Sequence, residues 1–187
     1  IIYINEHFTE KSVSFINLDA AHNNAPMILL TTSGSLGKVK IVPLTKSNVW
    51  HAVMGYVDKM GYDSMDEKNI KYTLATPFCS AYGLMILCAC IIKAFPLVIL
   101  KEPFTLDAFY RTVQKHHVAH YEGGTAVLIM MEQTADRTVP YDISSLKYFG
   151  FGGSKVSGVT LRKILSAYPY VHLWQGYGMT EAAPLIT

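Results

Sequence analysis

The sequence predicts an α/β fold with a largely parallel sheet flanked by helices. Short apolar and β-branched runs alternate with longer segments whose apolar residues recur at helical spacing. Polar and glycine-rich segments fall where several of these runs end, and open parallel sheets bind ligands at the carboxyl ends of their strands. The chain has 187 residues, the length of about one domain, and half of them are hydrophobic. It is therefore long and apolar enough to bury a sizeable core.

The first half of the chain is predicted to alternate between strands and helices. In order, the prediction is a strand over 27–32, a returning strand over 40–44, a helix from about 47 to 60, a strand over 72–76, a helix over 82–93 and a strand over 97–100. Thr45 is a plausible N-cap for the first helix. The apolar run Ala81–Ile92 has twelve residues. Since this run is too short to span a membrane, we expect a buried helix and no transmembrane segment.

The second half continues the alternation. Leu106, Phe109, Tyr110 and Val113 recur at helical spacing and predict a helix with one buried stripe. After it we expect a strand over 118–121, a helix over 125–134, a strand over 146–151, a helix over 159–167 and a strand over 170–174. Ser157 is placed to cap the last helix, whose inward residues are predicted to be Leu161, Ile164 and Leu165.

Composition excludes several classes of function. The net charge is only +2 and no basic stripe occurs, so nucleic acid is not an expected partner. The three cysteines, Cys79, Cys88 and Cys90, have no zinc spacing. Cys88 and Cys90 lie in an apolar run and are expected to be buried free thiols, which favours a reducing, cytoplasmic compartment. Three histidines, His116, His117 and His120, could suggest a metal, but carboxylates and cysteines are missing at ligand spacing. We expect them to be solvated or at helix edges.

A first polar segment, residues 31–40, reads Thr-Thr-Ser-Gly-Ser-Leu-Gly-Lys-Val-Lys. Glycines allow close backbone approach, and hydroxyls with a nearby lysine suit a polyphosphate. The segment is not a Walker A loop, because Val39 stands where that motif needs Ser or Thr after Gly-Lys. A polar hairpin loop is the alternative interpretation, since Ser, Thr and Gly are common in turns.

A second segment, residues 175–181, reads Gln-Gly-Tyr-Gly-Met-Thr-Glu. An aromatic face suits a purine, a hydroxyl suits a phosphate oxygen, and a carboxylate suits Mg²⁺. Gly176 and Gly178 leave room for a ligand beside the backbone. The alternative is a glycine turn around a buried Tyr177.

The two segments together resemble the phosphate loop and the adenine and metal motif of the adenylate-forming (AMP-binding) superfamily, which includes acyl-CoA synthetases and 4-coumarate–CoA ligases. The family's phosphate loop reads close to T-S-G-T-T-G-x-P-K-G, and this chain departs from it at Leu36, Val39 and Ile41. Two weaker likenesses lie between the segments. Residues 151–157 resemble S-G-G-A-P-L-S, and residues 77–84 resemble P-x-F-H-x-Y-G-L with Ser80 in place of the histidine.

The resemblance implies a role for each matching residue. The implied nucleotide-binding residues are Thr32, Ser33, Gly34, Ser35, Gly37, Lys40, Gly153, Ser154, Lys155, Gln175, Gly176, Tyr177, Gly178 and Thr180. The implied catalytic residues are Lys40, Thr180 and Glu181, with Glu181 as the Mg²⁺ ligand. Acyl-pocket walls are expected at Ser80, Tyr82, Gly83, Gly152 and Gly178.

The implied activity is that of an ATP-dependent carboxylate–CoA ligase, with a small carboxylic acid, ATP and CoA as ligands and Mg²⁺ as cofactor. The resemblance covers residues 26–187, so residues 1–187 are expected to be a single partial AMP-binding domain. The family's ribose-binding Asp and catalytic Lys are expected in a remainder of the parent enzyme, and the isolated chain is expected to be inactive. Three alternatives stay open: a degenerate nucleotide-binding relative, an adenylation domain feeding a carrier-protein thiol, and an α/β interaction module.

Overall fold

The computed structural model describes residues 25–32, 39–61, 70–100, 104–136 and 139–186. The strands are β1 Pro26–Thr32, β2 Lys40–Thr45, β3 Tyr72–Leu74, β4 Leu97–Val98, β5 His120–Gly124, β6 Tyr148–Gly152 and β7 His172–Gly176. The helices are α1 Lys46–Met60, α2 Ala81–Ile92, α3 Leu106–His116, α4 Thr125–Thr134 and α5 Gly158–Ala167, and a 3-10 turn covers Thr180–Ala182.

The central sheet is entirely parallel. Its five strands lie in the order β4-β3-β5-β6-β7, so the predicted α/β class is confirmed. The first two strands do not join it. They form a separate antiparallel pair in which Thr32 lies opposite Lys40, as expected for a strand that returns directly from a short connection.

Helix starts follow the caps that the sequence offers. Thr45 and Asn48 form a capping box at the start of α1, and Ser157 caps α5 as predicted. The buried stripe of α3 is confirmed, since Phe109, Tyr110 and Val113 are all buried. The prediction that Leu165 faces inward is wrong, because 44% of its surface is exposed and only Ile164 of α5 is fully buried.

Three strand predictions end too early. The strands β5, β6 and β7 begin two residues later than predicted and run on through glycines to Gly124, Gly152 and Gly176. Glycine is depleted in strands, so residue preference places the strand ends before these positions. Pairing along the parallel sheet overrides that preference, because the three glycines are in register with one another.

Two apolar clusters lie on opposite faces of the sheet. One joins α1, α2 and the β1–β2 pair to β3, and it also contains Ala183. The other packs α3, α4 and α5 against the side of the sheet that carries Tyr121, Phe149 and Phe151. Side chains of successive strand residues point to opposite faces, so alternate residues of β5 to β7 face α1 and α2.

The three cysteines are free, and the predicted burial is confirmed for Cys90 but not for Cys88. Cys79 is exposed, Cys88 is half-buried and Cys90 is buried. Burial raises the pKa of the Cys90 thiol to about 12, with Glu122 adding to the rise. Among the helices that the structure describes, none has the length and apolarity needed to cross a membrane.

Candidate functional site

The face of the sheet toward α1 and α2 begins with a row of rings at the amino ends of the strands. Tyr72, His120, Tyr148 and His172 are in register across four strands. The ring centroids of Tyr72 and His120 are 4.0 Å apart, and each following pair is 5.6 Å apart. We call these four residues the aromatic row. It fills this end of the face.

The same face ends in a row without side chains. Gly124, Gly152 and Gly176 are in register across β5, β6 and β7, four residues beyond the aromatic row. We call them the glycine row. A Cβ at Gly152 would lie 2.8 Å from the carbonyl oxygen of Gly176, whereas one at Gly124 would have nothing within 4 Å. The glycine row therefore presents bare backbone that is open at Gly124, whereas at Gly176 a Cβ would lie 3.1 Å from Cδ1 of Leu185.

A buried carboxyl group lies between the two rows. Glu122 has no exposed surface, and Tyr56 of α1 donates a hydrogen bond to its Oε1 at 2.7 Å. Tyr82 of α2 donates to Oε2, and Nε2 of His120 lies 2.9 Å from Oε1. One carboxyl group thus joins two helices to the sheet.

Gly150 and Trp174 are in register with Glu122 on the two neighbouring strands, β6 and β7. A Cβ on Gly150 would lie 2.0 Å from Oε2 of Glu122 and 2.2 Å from Nε1 of Trp174. Only glycine fits there. We name Glu122, Gly150 and Trp174 the middle layer.

The middle layer was not predicted. A carboxyl group directly after the predicted strand 118–121 is a signal that could have drawn attention to Glu122, since ionisable residues are seldom fully buried without partners. The partners themselves come from helices far away in the sequence.

The prediction that His120 is solvated or at a helix edge is wrong. It lies in β5 with 1% of its surface exposed. Burial lowers its pKa and outweighs the opposing effect of Glu122, so the ring is neutral at neutral pH. Of its two neighbours, His116 is half-buried at the end of α3 and His117 is exposed. Within the described ranges, no three His, Cys, Asp or Glu side chains cluster as a metal site would require.

The second polar segment follows β7 directly and forms a tight loop. Gly178 bridges to Leu185, and the amide of Met179 donates to the carbonyl of Pro184 at 2.8 Å. A Cβ on Gly178 would lie 1.9 Å from that same carbonyl oxygen. The room beside Gly178 is therefore taken up by the protein's own backbone.

Tyr177 stands out from this loop. Its side chain is 64% exposed, so the alternative of a buried Tyr177 is wrong. It directly follows Gly176 of the glycine row. Glu181 is exposed and Thr180 is half-buried, both in the 3-10 turn.

The loop after β6 adjoins the second segment. Nε2 of Gln175 donates a hydrogen bond to the carbonyl of Ser154 at 3.2 Å. Gly153 has a φ of +86°, a conformation that favours glycine. Ser154 and Lys155 are exposed. These residues and Gln175–Tyr177 thus lie together at the carboxyl ends of two neighbouring strands.

Of the first polar segment, the structure describes the two ends. Thr32 closes β1, and Lys40 opens β2 opposite it with an exposed side chain. The predicted phosphate-binding residues between them, Ser33, Gly34, Ser35 and Gly37, lie outside the described residues. The β1–β2 pair shares its apolar cluster with Ala183, and Leu185 packs against that cluster. The hairpin and the end of the second segment therefore belong to one packed unit.

The three predicted acyl-pocket residues near α2 have different surroundings. The hydroxyl of Ser80 donates to the carbonyl of Pro77 at 2.8 Å and accepts from the amide of Gly83 at 3.1 Å, so it caps α2. A Cβ on Gly83 would lie 2.2 Å from the Pro77 carbonyl oxygen, so this glycine is required for packing. Tyr82 reaches the middle layer through Glu122.

An apolar groove of about 240 Å³ lies at the far side of the sheet. It is lined by the ends of β3 and β4 together with Pro77, Phe78 and Phe104. The groove lies at β3 and β4, and β3 is the direct neighbour of β5, which carries Gly124 of the glycine row.

Known proteins with similar sequences carry related names. A model of the AMP-binding enzyme family matches residues 4–187. A relative from Arabidopsis thaliana, 4-coumarate–CoA ligase-like 3, is 26% identical over 165 residues, covering 88% of this chain and 29% of its own length. Peroxisomal OPC-8:0-CoA ligase 1 from the same organism is 26% identical over 155 residues, covering 82% of this chain and 28% of its own.

Solved structures agree on the fold. O-succinylbenzoate coenzyme A synthetase from Bacillus subtilis, in complex with ATP and magnesium ion, has a TM-score of 0.74 at 20% identity over 89% of this chain and 33% of that one. A long-chain fatty-acid–CoA ligase from Archaeoglobus fulgidus has a TM-score of 0.73 at 20% identity over 85% and 32%. The chain spans about a third of the length of each protein named here. Since the family model matches nearly every residue and the fold agrees with it, the chain belongs to the AMP-binding enzyme family.

Proposed function

We propose that this chain supplies the nucleotide- and acid-binding part of an ATP-dependent carboxylate–CoA ligase. Its residues would form one part of a larger AMP-binding domain, because the relatives it matches are about three times as long. The observation that carries the proposal is the exposed Tyr177 beside the glycine row, at the carboxyl edge of a parallel sheet.

The nucleotide is assigned to this edge. The ring of Tyr177 offers adenine an open face, and Gly124 and Gly152 add no side chain on the neighbouring strands. The loop with Gly153, Ser154 and Lys155 borders the same space, joined to it through Gln175. These contacts support the nucleotide-binding roles that the motif implies.

The reaction proposed is attack of a carboxylate oxygen on the α-phosphorus of ATP. A bond forms between that oxygen and phosphorus, and pyrophosphate leaves. Thr180 would donate its hydroxyl to an α-phosphate oxygen, and Lys40 with the hydroxyls of residues 32–35 would hold the outer phosphates. Such positioning and charge stabilisation account for most of the catalysis in phosphoryl transfer. The CoA thiol then takes the acyl group, and AMP leaves.

A divalent cation fits the available donors. Glu181 presents an exposed carboxylate. In the described part of the chain, no group of three or more His, Cys, Asp or Glu side chains could hold a metal ion by itself. Mg²⁺ commonly takes one or two carboxylates together with substrate phosphates, so Glu181 would hold it against the nucleotide. When bound, the ion would neutralise charge on the phosphates.

A second candidate function is nucleotide binding without adenylation. It is favoured by the departures at Leu36, Val39 and Ile41 and by the Ser80 hydroxyl, which is engaged in capping α2. A carrier-protein thiol in place of CoA would serve as acceptor equally well. The free thiols Cys88 and Cys90 support a reducing compartment such as the cytoplasm.

The test is ATP–pyrophosphate exchange by a longer polypeptide that includes this chain, with a panel of carboxylic acids. Glu181→Gln should lower exchange by about 10²–10³-fold, the usual effect of removing one transition-state contact. Glu132→Gln is the matched control, because it removes the same charge from α4, where Glu132 pairs with Lys163. Exchange that both variants retain in full would contradict the ligase assignment. ATP binding without exchange by the unaltered protein would support the second candidate.

A further inference from the structure

The β1–β2 pair has one face packed on the helices and one face that is exposed. Ile28 lies opposite Leu44, and Leu30 lies opposite Val42. These four side chains belong to the apolar cluster that also contains residues of α1 and α2. Because successive side chains of a strand point to opposite faces, the residues between them point away from the helices.

The outward residues of this pair are apolar too. Leu29 lies opposite Pro43, and Thr31 lies opposite Ile41. Leu29 and Ile41 are each 65% exposed, and Met27 is 51% exposed. We call Met27, Leu29, Ile41 and Pro43 the outer hairpin face. Strands with one face in water alternate apolar with polar residues, whereas strands covered on both faces have nearly continuous apolar runs. The outer hairpin face therefore has the composition of a covered surface.

The size of the outer hairpin face indicates what covers it. Its strands have seven and six residues. At about 3.3 Å per residue and about 4.8 Å between strands, they present roughly 200 Å². A stable dimer buries about 800 Å² on each partner, so this face alone is too small to hold a second copy of the chain. A layer of the same polypeptide needs less area, because its packing costs no translational or rotational freedom of a second molecule.

We propose that the outer hairpin face is covered by an apolar layer from the part of the parent polypeptide outside this chain. The inference rests on the proposed function, which makes the chain one part of a larger domain. The matched region is 29% of one named relative and 28% of another. Relatives of this length have ample polypeptide to supply such a layer.

The covering layer also bears on the candidate site. Thr32 and Lys40, which the proposed function assigns to the phosphates, lie opposite each other at one end of the same two strands. A layer packed on the outer hairpin face would restrain both strands between itself and the α1–α2 side. It would therefore hold the phosphate-binding end of the hairpin in place.

The test measures maleimide labelling of Leu29→Cys and of Ile41→Cys, each in the longer polypeptide that includes this chain. Covered thiols react only when the structure opens locally, so we expect labelling about 100-fold or more slower than in urea. Val159→Cys is the matched control, because Val159 is also 65% exposed but lies on α5, across the central sheet. It should label as fast as in urea. Peptide mapping separates each new thiol from the exposed Cys79.

Thermal melts of Ile41→Thr and Val159→Thr give a second measurement, which decides the question if a cysteine variant fails to fold. Threonine keeps the strand preference of isoleucine, so a loss of stability would reflect lost apolar burial. We expect the melting temperature to fall by about 2 °C or more for Ile41→Thr. For Val159→Thr it should stay within about 1 °C, as for other surface substitutions.

Equal labelling rates at all three cysteine positions, or equal melting temperatures of the two threonine variants, would overturn the inference. Protection that disappears when a dimer is diluted to monomers would overturn it as well, because the cover would then be a second copy. Labelling needs no catalysis, so the proposed function is tested separately. Pyrophosphate exchange without protection contradicts this inference alone, and protection without exchange contradicts the ligase activity alone.

Discussion

The two ends of the parallel sheet carry opposite kinds of residue on one face. At the amino ends the aromatic row packs ring against ring, and at the carboxyl ends the glycine row leaves bare backbone. The rows are four residues apart on the same strands. One face of the sheet is therefore filled with rings at the amino ends of the strands and carries no side chains on β5 to β7 at the carboxyl ends.

The difference between the two rows affects both the stability of the sheet and its capacity to bind a ligand. Glycine loses more conformational freedom on folding than any other residue and offers no side chain to pack, so the glycine row weakens its end of the sheet. The buried rings of Tyr72 and His120 compensate at the other end. Substitutions in the aromatic row should then lower the stability of the fold, and substitutions in the glycine row should weaken ligand binding.

The largest effect is expected from Tyr72→Ala. The change removes a ring that is 1% exposed and stacks on both Phe95 and His120. Truncation of buried aromatic side chains costs about 3–5 kcal/mol, so the free energy of unfolding in urea should fall by that amount. ATP affinity of the folded protein should be unchanged. A selective loss of ATP binding would show that the two ends of the sheet are not independent.

A pair of glycine variants should give the next largest effect. Gly152→Ala forces a Cβ to within 2.8 Å of the Gly176 carbonyl oxygen, and overpacking of this kind costs about 1–3 kcal/mol of unfolding free energy. Gly124→Ser meets nothing within 4 Å. It also places a favoured residue at the N-cap of α4, so stability should change by less than about 0.5 kcal/mol.

Gly124→Ser tests ligand binding separately from stability. If the glycine row is a ligand strip, Gly124→Ser should lower kcat/KM in pyrophosphate exchange although its melting temperature is unchanged. Unchanged kinetics for Gly124→Ser would limit the strip to β6 and β7.

Tyr177→Ala should weaken ATP binding by about 1–3 kcal/mol, as for other base–aromatic contacts. Because 64% of the Tyr177 side chain is exposed, its loss should hardly alter the melting temperature. Tyr170→Ala is the control at the opposite end of β7, where the ring packs near Tyr168 and Lys147. Calorimetric titration with ATP distinguishes the two. Equal ATP affinity for both variants would remove Tyr177 from the site.

The smallest effect is a pH dependence at the aromatic row. Burial holds the pKa of His120 below its ordinary value of 6.5, so the unfolded chain binds more protons in acid than the folded one does. Stability should therefore be lost as the pH falls below about 6.5, by at most about 1.4 kcal/mol per pH unit. His120→Gln should flatten urea-unfolding free energies measured from neutral to acid pH. His172→Gln, at an exposed member of the same row, should keep the slope.

Local signals in the sequence predicted much of the fold. Helix α4 has the predicted bounds, and the capping residues Thr45 and Ser157 start α1 and α5. These features depend on residues within one turn of each other. The ends of β5 to β7 were missed because their glycines are held in strand conformation by neighbouring strands, which no local pattern records.

In the candidate site too, the contiguous residues could be predicted from the sequence and the residues brought together from distant segments could not. The contiguous segment 175–181 could be read as a unit, and Tyr177 is exposed beside the glycine row as a ligand-binding residue requires. The middle layer could not be predicted. Glu122 depends on tyrosines 66 and 40 residues away, and the register of Gly124 with Gly152 becomes visible only in the assembled sheet.

The bonds of Glu122 also bear on the order in which the chain assembles. Tyr56 of α1 and Tyr82 of α2 are synthesised before β5. Their hydrogen bonds to Glu122 can therefore form only after β5 has been made. Contacts over long sequence separations slow folding, because the loops between them must close first. Until β5 enters the sheet between β3 and β6, Glu122 lacks the hydroxyl groups of Tyr56 and Tyr82 and resists burial. The buried side chain of Glu122 thus destabilises partly assembled states, so we expect α1, α2 and β5 to form cooperatively.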